Sequence, residues 1–233
     1  MKDPNPETRG TVDVLDLPVK ELGDDDVLIK VAYCGICGSD PHVVDGCFNK
    51  PEDAPFGIGH EMSGVIERLG KNATAKGLKV GDRVGGNFLG YCGKCYQCSI
   101  GHPEYCTGVS NQPCMAEYVV WNEAQVCKLP DGVSLREGSL MEPLSIAVRA
   151  MDKIGMLVGK RVLVSGGGPI GLLCAQLAAK YGAAELTLSE PVANRCEIAK
   201  KIGVEHIVNP ITEDLYERAM EITNGIGYDV ILE

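Results

Sequence analysis

Apolar and polar positions along this chain follow two different rhythms. Up to about residue 150 the apolar residues come in short runs, Val27 to Tyr33, Val65 to Leu69, Glu117 to Val120 and Val126 to Leu129, separated by Gly, Pro and Asn. Short runs between turn formers predict an all-β, barrel-like region. From Lys160 the rhythm lengthens into a strand over Arg161 to Ser165, a helix over Ile170 to Tyr181, a strand over Glu185 to Ser189 and a helix over Val192 to Ile202. Ile207 to Asn209, a helix from about Glu213 to Thr223, and Tyr228 to Glu233 continue it. Such alternation predicts βαβ units on a parallel sheet. Between the two regions, Leu140 to Ala150 carries apolar residues at helical spacing and is expected to pack against both. The pattern predicts two domains, residues 1–150 and 151–233. A doubly wound dinucleotide fold has six strands, so the second domain is expected to be incomplete, and activity of this polypeptide by itself is in doubt.

Composition narrows the class. With 233 residues against about 150 per domain, there is material for one complete core and part of another. Lys and Arg number 22 against 32 Asp and Glu, a net charge of −10, which lacks the basic surplus that nucleic acid demands. No apolar run approaches the roughly 20 residues of a membrane span. The opening Met-Lys-Asp-Pro-Asn-Pro has no apolar stretch of the kind a secretion signal needs, so a cytoplasmic address is expected. Eleven cysteines cannot all pair, and in a reducing compartment clustered cysteines point to metal or redox chemistry.

Cys92, Cys95, Cys98 and Cys106 cluster as C-x2-C-x2-C-x7-C, in a Gly-rich polar segment with little apolar material to hold it. Four thiolates around a tetrahedral zinc would close the site and supply folding free energy. The iron–sulfur alternative runs C-x2-C-x2-C-x3-C-P. Here the last gap is seven residues and Thr107 follows, which favours structural zinc.

Upstream stand Tyr-Cys-Gly-Ile-Cys-Gly-Ser-Asp-Pro-His at 33–42 and Gly-His-Glu-Met-Ser-Gly at 59–64. Cys37, His60 and Glu61 are all competent zinc ligands. Cys34 and Cys37 could instead be a redox couple, but that motif belongs beside a βαβ unit, and this one follows a β-type segment. A lone His60 could be a core histidine, and Ser39 and Asp40 ordinary turn residues.

The third constellation is a strand running into Gly166-x-Gly168-x-x-Gly171 and then a helix. Gly166 permits a tight turn, Gly168 lets a pyrophosphate approach the backbone, and Gly171 lets helix and strand pack closely. Pro169 and Ile170 open the helix whose free N–H groups and positive dipole end would face the phosphates. Glu190, 19 residues beyond Gly171 at a strand end, is placed to hold adenosine ribose hydroxyls and to repel a 2′-phosphate. NAD is therefore favoured over NADP, although Arg195 nearby could accept that phosphate.

Together these segments closely resemble the zinc-containing medium-chain alcohol dehydrogenases. Gly59-His60-Glu61, Gly64, Gly70 and Ala73 match that family's zinc signature, and the Cys-Gly-Ile-Cys-Gly-Ser-Asp segment and four-cysteine lobe match in order and spacing. The resemblance implies an α/β protein with an all-β N-terminal part: a GroES-like catalytic barrel followed by a Rossmann domain. It implies one structural and one catalytic zinc, the latter held by Cys37, His60 and either Glu61 or Glu142 of Met-Glu-Pro-Leu-Ser. That segment resembles the sorbitol and polyol branch, although Glu142 could simply cap the helix that follows.

Zinc and nicotinamide together specify oxidation of a hydroxyl, the metal polarising the oxygen and the nicotinamide taking hydride. Ser39 and His42 sit where the family has its proton relay to solvent, and an unperturbed His is suited to accept a proton near neutrality. The expected activity is hydride transfer from a polyol or other secondary alcohol to NAD. Threonine or butanediol are alternative substrates, and a non-catalytic truncated relative is the alternative from another class. Expected partners are a small alcohol and further copies of the intact chain in a homodimer or homotetramer, with neither nucleic acid nor membrane.

Overall fold

The computed structural model describes residues 10–47 and 56–233. The chain divides into two compact units, one reaching to Glu142 and the other spanning Pro143–Glu233.

The first unit is built on a five-stranded antiparallel sheet. In chain order its strands are β1 (Asp26–Gly35), β2 (Glu61–Leu69), β3 (Arg83–Gly86), β6 (Tyr118–Asn122) and β7 (Val126–Lys128), arranged β6-β1-β2-β3-β7. A two-stranded ribbon, β4 (Leu89–Gly90) with β5 (Ser110–Asn111), stands beside it. Val27 and Ile29 of β1, Met62 and Ile66 of β2, Val84 of β3 and Val119 and Trp121 of β6 form the core. Trp121 is fully buried, and its indole N–H donates to the Gln112 carbonyl, so its one polar atom is satisfied.

Among its described residues this unit carries three short α-helices, α1 (Asp40–Val44), α2 (Tyr96–Ser99) and α3 (Leu135–Gly138). The last is held by a capping box in which Ser134 and Glu137 satisfy each other's backbone N–H groups.

The second unit carries a parallel sheet of β8 (Arg161–Ser165), β9 (Glu185–Ser189), β10 (His206–Val208) and β11 (Val230–Leu232), in the order β10-β9-β8-β11. That is the 3-2-1-4 start of a doubly wound dinucleotide fold. Helices α4 (Met141–Ile154), α5 (Pro169–Lys180), α6 (Ala193–Lys201) and α7 (Leu215–Ile222) alternate with the strands after α4 leads in from the first unit. Ala147 and Met151 of α4 pack with Val162, Val164, Ala175, Ala178 and Leu188 in one core. Consecutive buried residues in β8 and β9 reflect a sheet covered on both faces. Among the described residues no helix is long and apolar enough to cross a membrane.

Candidate functional site

Antiparallel pairing of β1 with β2 sets Gly35 opposite Glu61 and Cys34 opposite Met62. The chain leaving β1 thereby brings Cys37 beside the residues that open β2. One ligand atom each from Cys37, His60 and Glu61 lie within 4.8 Å of one another. Two glycines make this packing possible. A Cβ on Gly35 would overlap the Glu61 carboxylate, and Gly59 turns with φ +83°, where a Cβ would press on Cys34 Sγ and Met115.

Asp40, the first residue of α1, fixes the arrangement from behind. Its buried carboxylate accepts the Cys37 amide at 2.8 Å through Oδ2 and the Gly59 amide at 3.3 Å through Oδ1, and Oδ1 lies 3.5 Å from His60 Nδ1. With Nδ1 turned to a carboxylate, Nε2 is the nitrogen left with a lone pair for a metal. The Phe88 ring packs on the imidazole with centroids 4.9 Å apart.

Glu142 lies outside that cluster of mutually close atoms but near enough for His60 and Glu61 to act on it. Burial and the Glu61 charge raise its carboxyl above the usual range, against the opposing pull of His60. Ser39 is the residue before α1 and makes no capping hydrogen bond with its hydroxyl, while His42 is exposed in the last turn of the same helix.

Behind the cluster, Cys34 and Cys114 place their sulfurs 3.7 Å apart. The contact with Cys114 holds the Cys34 thiol below its ordinary value, and the same contact together with burial drives Cys114 far up.

In the second cysteine group, the sulfurs of Cys92, Cys95, Cys98 and Cys106 lie within 4.8 Å of one another. Zn–S bonds of about 2.3 Å give a tetrahedral edge of about 3.8 Å, and Cys95 and Cys106 stand 4.0 Å apart. The Cys92 and Gly108 amides point at Cys106 Sγ and the Cys95 amide at Cys92 Sγ, as thiolates require. Backbone N–H groups of Cys98 and Thr107 pull Cys95 down to about 6. Burial and the neighbouring sulfurs push Cys98 up to about 12. The donor set fits a closed zinc site, and Cys37, His60 and Glu61 fit a three-ligand zinc with a position open.

At the glycine turn, β8 ends and the backbone passes through Gly166 with φ +95° before Gly168 and Pro169 start α5. A Cβ on Gly171 would overlap the Gly166 carbonyl, so the turn closes tightly on its own helix. Space beside Gly168 is open, leaving its backbone approachable. Ile170 is exposed in the first turn of that helix.

Glu190, just past β9 and 1% exposed, accepts the Gly167 amide at 2.6 Å and the Val192 amide at 2.7 Å. Arg195 stands 3.4 Å from the same carboxylate. Burial pushes Glu190 up, but the amides of Val192 and Gly167 and the arginine outweigh it, and its carboxyl lies below the usual range. Glu190 therefore braces the turn.

Sequence reasoning passed over Asp40 and Gly35 as site residues. The Cys-x2-Asp spacing is visible in the sequence, but two of the aspartate's partners, Gly59 and His60, come from a segment 19 and 20 residues away.

Residues 23–131 match the family model described as alcohol dehydrogenase GroES-like domain, and 169–233 the model described as zinc-binding dehydrogenase. An L-threonine 3-dehydrogenase of Escherichia coli O17:K52:H18 is 37% identical over 225 residues, covering 94% of this chain and 65% of the relative. The chain thus spans about two thirds of that protein's length. A Clostridium scindens structure described as a zinc-binding dehydrogenase superposes with TM-score 0.88 at 34% identity, over 98% of this chain and 67% of that one. Galactitol-1-phosphate dehydrogenase of Escherichia coli does so with TM-score 0.83 at 27% identity, over 97% and 66%. With both zinc donor sets and the glycine turn in place, the chain belongs to the zinc-containing medium-chain alcohol dehydrogenase family, and zinc and NAD(P) are the cofactors that go with it.

Proposed function

We propose that the intact protein oxidises a secondary alcohol to a ketone, passing hydride to NAD. The observation that carries this reading is that Cys37, His60 and Glu61, one soft and two harder donors, each bring a ligand atom within 4.8 Å of the others. Zinc held by these three side chains would supply a Lewis acid that acidifies the substrate hydroxyl. Asp40 keeps His60 in the tautomer that leaves Nε2 free and ties down the Cys37 backbone. Glu142, with its raised pKa, offers a second carboxyl beside the group. Ser39 Oγ and His42 are proposed to carry the released proton outward, the exposed imidazole handing it to solvent. The Gly166–Gly171 turn and the N-terminus of α5 are proposed to take the pyrophosphate, with Glu190 selecting NAD over NADP.

Glu-Pro-Leu-Ser at 142–145 supports a polyol as substrate, and the structural likeness to galactitol-1-phosphate dehydrogenase agrees with it. The 37% identity to L-threonine 3-dehydrogenase favours a second reading, in which the secondary alcohol carries a neighbouring amino group. The test is NAD reduction by the full-length enzyme with sorbitol, xylitol, galactitol 1-phosphate, L-threonine and 2,3-butanediol. Turnover confined to L-threonine replaces the polyol reading, and no turnover with any secondary alcohol overturns both. The free cysteines among the described residues accord with a cytoplasmic protein, and size-exclusion chromatography of the full-length protein tests the proposed homodimer or homotetramer.

A further inference from the structure

Cys34 and Cys114 belong to neither zinc donor set. Their sulfurs lie 3.7 Å apart across a sequence separation of 80 residues. A disulfide needs about 2.05 Å between sulfurs, so closure asks for an approach of about 1.7 Å. The two thiols differ in access. Cys114 is fully buried, whereas Cys34 is half-buried and lines an open cavity of about 660 Å³. The cavity wall carries Ser134, Ser139, Arg136 and Glu137, so hydroxyls and both signs of charge line the space that Cys34 borders. That chemistry suits a zwitterionic ligand of a few amino-acid units.

We propose that Cys34 and Cys114 form a thiol–disulfide exchange site for low-molecular-weight disulfides, Cys34 attacking from the cavity and Cys114 resolving from behind. In the first step Cys34 Sγ bonds to one sulfur of the small disulfide, whose S–S bond breaks. One half departs as a thiol, taking up the proton that Cys34 gave up, and the other half stays on Cys34 as a mixed disulfide. Cys114 Sγ then bonds to Cys34 Sγ and releases the second half, which leaves as a thiol with the Cys114 proton. The protein pair loses two electrons and two protons, and the small disulfide gains them.

The pair also touches the metal centre through the backbone. The Cys114 amide donates to the Gly59 carbonyl at 3.0 Å, and the α-carbon of Gly59 faces Cys34 Sγ. Closure of the disulfide therefore pulls on the turn that presents His60.

The test incubates zinc-loaded full-length protein with oxidised glutathione, blocks remaining thiols by alkylation, and maps the modified cysteines by peptide fragmentation. Wild type is expected to give a Cys34–Cys114 cross-link that dithiothreitol reverses. Cys114→Ser is expected to retain one glutathione on Cys34, and Cys34→Ser to leave Cys114 free. The proposal is overturned if Cys34 stays unmodified, if it keeps glutathione in wild type while Cys114 stays free, or if its cross-link runs to Cys37 or Cys47. Should a serine variant fail to fold, the wild-type map decides alone, because the residue to which Cys34 is joined is read directly.

Discussion

Replacing Asp40 by Asn changes one atom in the carboxylate, and the structure specifies why it matters. Oδ2 accepts the Cys37 amide, while Oδ1 accepts the Gly59 amide and stands against His60 Nδ1. An asparagine has one acceptor oxygen and one NH₂ donor. If its oxygen faces Gly59 and His60, the NH₂ meets the Cys37 N–H. If it is flipped, the NH₂ meets the Gly59 N–H and His60 Nδ1, which favours the proton on Nε2, the nitrogen the metal needs. Either orientation sets donor against donor in a buried site, at a cost of about 1–3 kcal/mol.

Loss of a partner that orients a metal ligand typically lowers metal affinity about 10–100-fold, which is about 1.4–2.7 kcal/mol. We therefore expect Asp40→Asn to weaken one of two zinc sites by that factor and leave the four-cysteine site untouched. Competition against a chromophoric chelator, with the two sites resolved by their release phases, measures it. Unchanged affinity at both sites, or equal loss at both, refutes the reasoning, since the described partners of Asp40 are Cys37, Gly59 and His60 and none belongs to the cysteine lobe.

Chelating the structural metal, or substituting Cys106→Ser, should expose the amides of residues 92–108 to hydrogen exchange well before the β1–β2 core, because Tyr96, Ile100 and Tyr105 are exposed and supply no core of their own. Glu190→Ala should leave the buried Gly167 amide without its acceptor and lower the stability of the second unit by about 1–3 kcal/mol. Urea titration with and without NAD checks this, and an unchanged midpoint would remove Glu190 as the brace of the turn. Asp229 is held at about 2 by the two-point pair with Arg161, against an ordinary value of 3.8. A carboxyl lowered on folding stabilises above the unfolded value and loses that contribution as pH falls from about 4 toward about 2. Asp229→Asn should thus be less stable than wild type at neutral pH, and the gap should narrow on acidification, as read from urea midpoints across that range.

What could be read along the chain, and what could not, separates by the range of the interactions involved. The strands Arg161–Ser165 and Glu185–Ser189 begin and end where the apolar runs do, because a strand covered on both faces is apolar throughout and is punctuated at its end, here by Gly166 and by Glu190-Pro191. Strand Arg83–Gly86 has no such signal. Gly85 and Gly86 read as turn residues, yet they sit in a strand because the Trp121 ring and the Met141 side chain fill the space their own side chains would need. The zinc donors were visible as residue types, but the choice between two carboxylates was not, since it depends on register.

That register is itself set by an irregularity. Val31 pairs with Gly64, but Tyr33 pairs with Ser63, so Ala32 is an extra residue that advances the strand by one position. Without it Cys34 would stand opposite Glu61, and the side chain of residue 34 would occupy the position that Gly35 leaves clear for the carboxylate. Val-Ala-Tyr carries no local mark of a bulge. Its selection comes from the far side of the sheet, where Val27 and Ile29 must stay in the core while Glu61 turns toward Cys37 and His60. The bulge is what lets one strand satisfy both demands, and it ties the packing of the first unit to the geometry of its metal centre.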